Sequence, residues 1–243
     1  APELSVRESS PGTPTTRATE YNRAGFEDWA AFEVINAPYN SFVYEGSNVE
    51  PTFLDGYQTD ALTNMAIDYI ESYDRPEPLF LVLSVEPPHF PLDADESFKR
   101  LDPDSLEVRP NFGIKSDFFP TVPEIPQSDL RQMLANYYAC IENLDWNIGR
   151  LMDTIADQPG FGDDTMTVYF ADHGDYVGSH GLDTTKIQHH EESVRIPTLF
   201  HWPNGIKSQG NRDELFSLVD LFATTLDMAG VNVPSHNQGT SFA

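Results

Sequence analysis

Four side chains in this sequence have the types and settings that chemistry requires. Asp172 and His173 stand together in Asp172-His173-Gly174-Asp175, at the end of an apolar stretch rich in β-branched and aromatic residues. A carboxylate offers hard oxygen ligands and an imidazole offers nitrogen, so the pair can hold a divalent cation, and Gly174 lets the chain turn away sharply. His89 lies in Glu86-Pro87-Pro88-His89-Phe90-Pro91, directly after a second apolar run. An imidazole there can donate a hydrogen bond or a proton. Lys186 is a lone lysine between His180-Gly181 and Glu191-Glu192-Ser193-Val194-Arg195-Ile196-Pro197, and its ammonium can neutralise an oxyanion. Each residue also has a plainer reading. Asp-Xaa-Gly is a common turn, His89 fits a loop histidine packed among prolines, and Lys186 fits a surface lysine.

These residues need elements to position them. Residues 79–85 and 165–171 are short, continuous apolar runs, as in the interior strands of a parallel sheet. In open α/β sheets, ligands gather beyond the carboxyl ends of the strands. His89 and the Asp172-His173 pair each follow such a run, so both are expected at one sheet edge. Residues 59–73 carry Leu62, Met65, Ala66, Tyr69 and Ile70 at helical spacing, with Thr59 or Asp60 as the N-cap and Arg75-Pro76-Glu77-Pro78 as the break. Residues 128–157 form the clearest helical pattern. Leu130, Leu134, Tyr137, Ile141, Leu144, Ile148, Leu151 and Ile155 make one apolar stripe, Ser128 can cap it, and Pro159-Gly160 ends it. Glu142 and Asp145 on this helix read as a solvated face. Residues 198–202 read as another strand, and residues 215–229 as an amphipathic helix closed by Gly230. The alternation predicts an α/β fold with a mostly parallel central sheet flanked by helices. Residues 1–24 read as an extended arm, the aromatics from Phe26 to Tyr44 as a packed core edge, and residues 93–127 as a long, proline-rich loop walling a cleft.

Composition narrows the function. Of 243 residues, 39 are Asp or Glu and 14 are Lys or Arg, a net charge of -25. That balance argues against a nucleic-acid partner, whose phosphates require basic patches. It also gives an anionic substrate no long-range attraction, so an anion needs a local cation such as a metal or Lys186. No run approaches the ~20 apolar residues of a membrane span. The first residues, APELSVRESS, lack the basic start and apolar core of a secretory leader. Cys140 is the single cysteine, so no intrachain disulfide framework is expected, and its place in a helical pattern suits a small buried side chain.

The order strand, DHGD, HG, Lys, EES-x-R-x-P, strand over residues 165–203 resembles the metal-binding segment of the sulfatase family, in the alkaline phosphatase superfamily. Pro88-His89-Phe90-Pro91 is similar to that family's Pro-His-x-Pro phrase. Gly25-Phe26-Glu27-Asp28-Trp29, residues 137–151 and 220–230, and Gly239-Thr240-Ser241 are similar to further family phrases. The resemblance implies an alkaline-phosphatase-like α/β fold and metal-dependent hydrolysis of a sulfate monoester of a sugar, an aryl alcohol or a small alcohol. It implies a divalent ion, calcium or else magnesium, held by Asp172 and His173. Lys186 would bind a sulfate oxygen, and His89 would contact the sulfate or protonate the leaving group. Lys186 stands one residue farther from His180 than the family spacing.

Other family features are absent. The nucleophile there is a formylglycine made from Cys or Ser in a Cys/Ser-x-Pro/Ala-x-Arg phrase. Cys140 is followed by Ile141-Glu142-Asn143 and does not match, and the Lys-x-His pair and an early Asp-Asp pair are missing. Residues 25–243 are therefore expected to form part of a sulfatase catalytic domain, lacking the N-terminal nucleophile segment and the small C-terminal domain. The missing N-terminal part of the protein would be its partner, and the chain alone would have no turnover. A phosphonate or phosphodiester hydrolase on the same scaffold, or a binding module without a nucleophile, stays open as an alternative. His180, His189 and His190 read as structural or solvated.

Overall fold

The computed structural model describes residues 20–32, 36–115, 124–183, 186–207 and 210–243. The arm expected over 1–24 thus lies, for residues 1–19, outside the described residues. The chain divides into two compact units, Ala1–Gly162 with Asp175–Val194, and Asp163–Gly174 with Arg195–Ala243.

The first unit carries a three-stranded antiparallel sheet of β1 (Ala30–Ala31), β2 (Phe42–Glu45) and β3 (Thr52–Phe53), with β2 central. Phe42, Val43 and Tyr44 of β2 are buried, so the aromatic stretch packs as a core edge. Helix α1 (Gln58–Glu71) follows. Neither Thr59 nor Asp60 caps it. Tyr57 is the N-cap, without a side-chain bond, and Asp60 is turned onto the long helix α2 (Gln127–Asp157). There its Oδ1 accepts from Asn143 Nδ2 at 2.8 Å and from Asn147 Nδ2 at 2.7 Å.

That polar contact changes the expected stripe of α2. Leu130, Leu134 and Ile155 are buried, but Ile141 is 38% exposed, whereas Asn143 and Asn147 are sealed. Two buried amides are tolerable here because a carboxylate takes both donors. Pro126 is the N-cap of α2 and Ser128 lies within its first turn, so Ser128 does not cap. Glu142 pairs with Arg100 at 2.8 Å, a surface role. Cys140 is buried beside Ala139 and Ala94, and burial pushes its thiol pKa up. The N-terminal half of α2 builds the core of this unit, with Leu130 and Leu134 packed on Phe112 and Val177. A four-residue helix, α3 (Glu191–Val194), completes the unit.

Residues 79–85 correct one expectation. They are not assigned to any strand, and Phe80 and Val82 are 69% and 60% exposed. Burial still alternates along them with the two-residue period of an extended chain. A ladder needs a neighbouring backbone, and none among the described residues pairs with this one.

In the second unit β4 (Thr167–Phe170) pairs antiparallel with β5 (Thr198–His201), placing Thr167 opposite His201 and Phe170 opposite Thr198. Every ladder among the described residues is antiparallel, so the expected parallel strand neighbours are not formed within them. Helix α4 (Leu218–Met228) starts from a capping box made by Ser217 and Asp220 and ends at Gly230, whose φ of 71° suits glycine. The C-terminal tail is strapped to α4. Thr240 N donates to Asp220 Oδ1 at 2.8 Å, and Ser241 Oγ donates to Asp227 Oδ2 at 2.6 Å. A Cβ at Gly239 would overlap the Val219 carbonyl, so only glycine lets the tail pass.

Candidate active-site residues

Asp172 and His173 sit just past the carboxyl end of β4, in the second unit. His173 N donates to Asp172 Oδ1 at 2.9 Å, which folds the carboxylate over the turn. His173 Nδ1 lies 2.9 Å from the Gly174 carbonyl. A carbonyl only accepts, so Nδ1 carries the proton and Nε2 of the neutral ring presents a lone pair. Nε2 lies 3.5 Å from Asp172 Oδ2. Two ligands about 2.4 Å from one cation and at right angles would stand about 3.4 Å apart. The pair therefore fits two neighbouring positions on a hard divalent ion. The Asp172 side chain is 82% exposed and that of His173 36%, leaving the approach open. Among the described residues no group of three or more His, Cys, Asp or Glu could hold a metal.

His89 and Lys186 belong to the first unit. His89 N donates to the Glu86 carbonyl at 2.9 Å, closing a tight turn, and Nδ1 faces the Phe90 carbonyl at 2.7 Å. As at His173, the ring is oriented by a backbone carbonyl and Nε2 is left for other partners. His89 shares a shallow hollow with Asn36, Gln58 and Glu86. In the orientation that satisfies both groups, the Asn36 amide donates to Glu86 Oε2 at 2.7 Å. Burial raises the Glu86 carboxyl pKa to about 7.

Lys186 is half-buried, and its carbonyl accepts from Ser193 Oγ at 3.0 Å. The segment behind it is braced. Glu192 Oε1 accepts from Asn111 Nδ2 at 2.9 Å, and Arg109 Nη1 lies 3.4 Å from the same oxygen. His180 Nε2 lies 3.5 Å from Glu192 Oε2. His180 stacks on His190 at 4.4 Å between centroids, and Tyr176 meets both rings edge-on. Burial alone would raise the Glu192 pKa. The Asn111 amide, its own backbone N–H, His180 and Arg109 outweigh burial and hold it at about 2.

A family profile described as Sulfatase matches residues 9–231, most of the chain. The chain belongs to the sulfatase family. It is 28% identical over 223 residues to an ulvan-active sulfatase of Formosa agariphila, covering 89% of this chain and 41% of that one. It is 28% identical over 198 residues to an arylsulfatase of Clostridium perfringens, covering 76% of this chain and 41% of the relative. Among solved structures, yidJ of Bacteroides fragilis, described as a candidate sulfatase, superposes with a TM-score of 0.77 at 26% identity, covering 91% of this chain and 48% of that one. The likeness to solved sulfatases establishes the α/β, alkaline-phosphatase-like class for this sulfatase-family chain, which spans less than half the length of these relatives. The family is generally metal-dependent.

Sequence reasoning missed two features of the sulfatase. Asn111 sits in a proline-flanked loop 81 positions from Glu192, and no local pattern marks such a partner. Glu86 reads as one of 39 acidic residues, and only its burial sets it apart. His180, read from the sequence as structural or solvated, contacts Glu192 and stacks on His190.

Proposed function

We propose that this chain supplies part of the active site of a metal-dependent sulfuric ester hydrolase. The observation that carries the reading is the Asp172-His173 pair, with His173 Nε2 3.5 Å from an Asp172 carboxylate oxygen. Asp172 and His173 would hold the divalent ion, calcium or else magnesium, with the Asp172 carboxylate as its charged anchor. When bound, that ion neutralises charge on sulfate oxygens. Lys186 binds a sulfate oxygen through its ammonium. Among the described residues no carboxylate is paired with its Nζ, so the charge remains available. His89, with Nδ1 held by a carbonyl, offers Nε2 to the sulfate or, when protonated, delivers a proton to the leaving oxygen. Cys140 is 1% exposed and outside a nucleophile phrase, so the formylglycine comes from elsewhere in the protein.

The test is a substrate panel assayed on the complete protein that carries this chain. Aryl and sugar sulfates should be hydrolysed in preference to matched phosphate and phosphonate esters. Preference for a phosphonate or phosphodiester would contradict the sulfatase reading, and binding without turnover would assign the chain to a binding module. A sugar or aryl sulfate is the substrate class proposed.

A further inference from the structure

Helix α3 is only four residues long. One turn of helix has almost no stability of its own, because nucleation is unfavourable. Its position must therefore come from side chains that tie it to the rest of the unit. Glu192 is that tie. Its side chain is 7% exposed and engages Asn111, Arg109 and His180, which lie on two other segments. Those segments are bound to each other, since Gly113 N donates to Gly178 O at 2.8 Å and His180 N donates to Asn111 O at 3.0 Å. The next residue, Ser193, is 5% exposed, and its hydroxyl donates to the Lys186 carbonyl. Two residues beyond Lys186, the Gln188 carbonyl accepts from Tyr176 Oη at 3.1 Å. The backbone carrying Lys186 is thus pinned by hydroxyls at two carbonyls, and one hydroxyl hangs on the helix that Glu192 fixes.

We infer that Ser193, anchored through Glu192, is a positioning residue that fixes the Lys186 backbone so that its ammonium is held ready for the anion. This rests on the reading of Lys186 as a sulfate-binding residue. A lysine has four flexible side-chain torsions, and a fixed Cα removes the backbone's contribution to the spread of its charge. The hydroxyl does this without touching substrate, so its loss should affect charge stabilisation by Lys186 more than folding.

The experiment compares wild type, Ser193→Ala and Ser193→Thr in the complete protein, using an aryl sulfate and backbone hydrogen exchange. Ser193→Ala should lower kcat about tenfold, change KM less than threefold, and speed exchange in residues 186–190 while α2 stays protected. Ser193→Thr keeps the hydroxyl and should recover most of kcat. Unchanged kcat and unchanged exchange in Ser193→Ala would overturn the positioning role alone. So would a kcat loss that Ser193→Thr fails to recover. Absence of turnover by wild type would overturn the sulfatase reading and this inference with it.

Discussion

Asn111 Nδ2 donates to Glu192 Oε1 at 2.9 Å, joining a loop and a one-turn helix 81 positions apart. The acceptor is charged and its side chain is 7% exposed. A hydrogen bond to a charged group contributes roughly 1.5–3 kcal/mol. Asn111→Ala should therefore destabilise the first unit by about that amount, read as a lower urea midpoint with an unchanged slope. Asn111→Asp should cost more, because it sets a carboxylate against a carboxylate.

Glu192 also predicts an acid limb. Its carboxyl is held at about 2, below its ordinary value of 4.5, by Asn111, its own backbone, His180 and Arg109 against burial. A depressed acid contributes stability above its unfolded pKa and loses it as pH falls. The Glu192 contribution should thus be complete above pH 4.5 and vanish toward pH 2. Urea midpoints should fall over that window in wild type and fall less in Glu192→Gln. Equal slopes in both would place the acid sensitivity elsewhere.

Glu86 predicts the opposite sign. Burial raises it from 4.5 to about 7. Below pH 4.5 it is protonated whether folded or unfolded. Between 4.5 and 7 the unfolded chain ionises first, so stability is lost as pH rises and levels off above 7. Glu86→Gln should flatten this decline in Tm between pH 4.5 and 7, and an unaltered decline would count against the assignment.

The proposed metal half-site makes a quantitative prediction for this chain alone. Two protein ligands, one of them neutral, give little of the six to eight oxygen contacts that calcium takes. Calorimetry should find binding weaker than about 10⁻⁴ M, and Asp172→Asn should abolish it. Tight binding by the isolated chain would mean that further ligands are already in place.

Much of this was legible beforehand. The apolar period of α2 and α4 and the β-branched run of β4 located the elements, and β4 placed Asp172-His173 at its carboxyl end. Residues 79–85 show the limit of such reading. An apolar run signals a backbone that wants neighbours on both sides, but not whether the neighbours lie within the same stretch of chain. Phe80 and Val82 are accordingly exposed. Asp60 shows another limit, because a residue suited to a helix cap was instead drawn to two amides on α2. Tertiary partners decide such choices, and their distance in sequence hides them.

The most direct test of the account is sulfate release from an aryl sulfate by the complete protein, compared with its Asp172→Ala variant. Removing this proposed metal ligand should lower the rate by at least about 100-fold, as expected when charge stabilisation at the reacting oxygens is lost. Wild-type and variant rates that agree within a factor of two would contradict it.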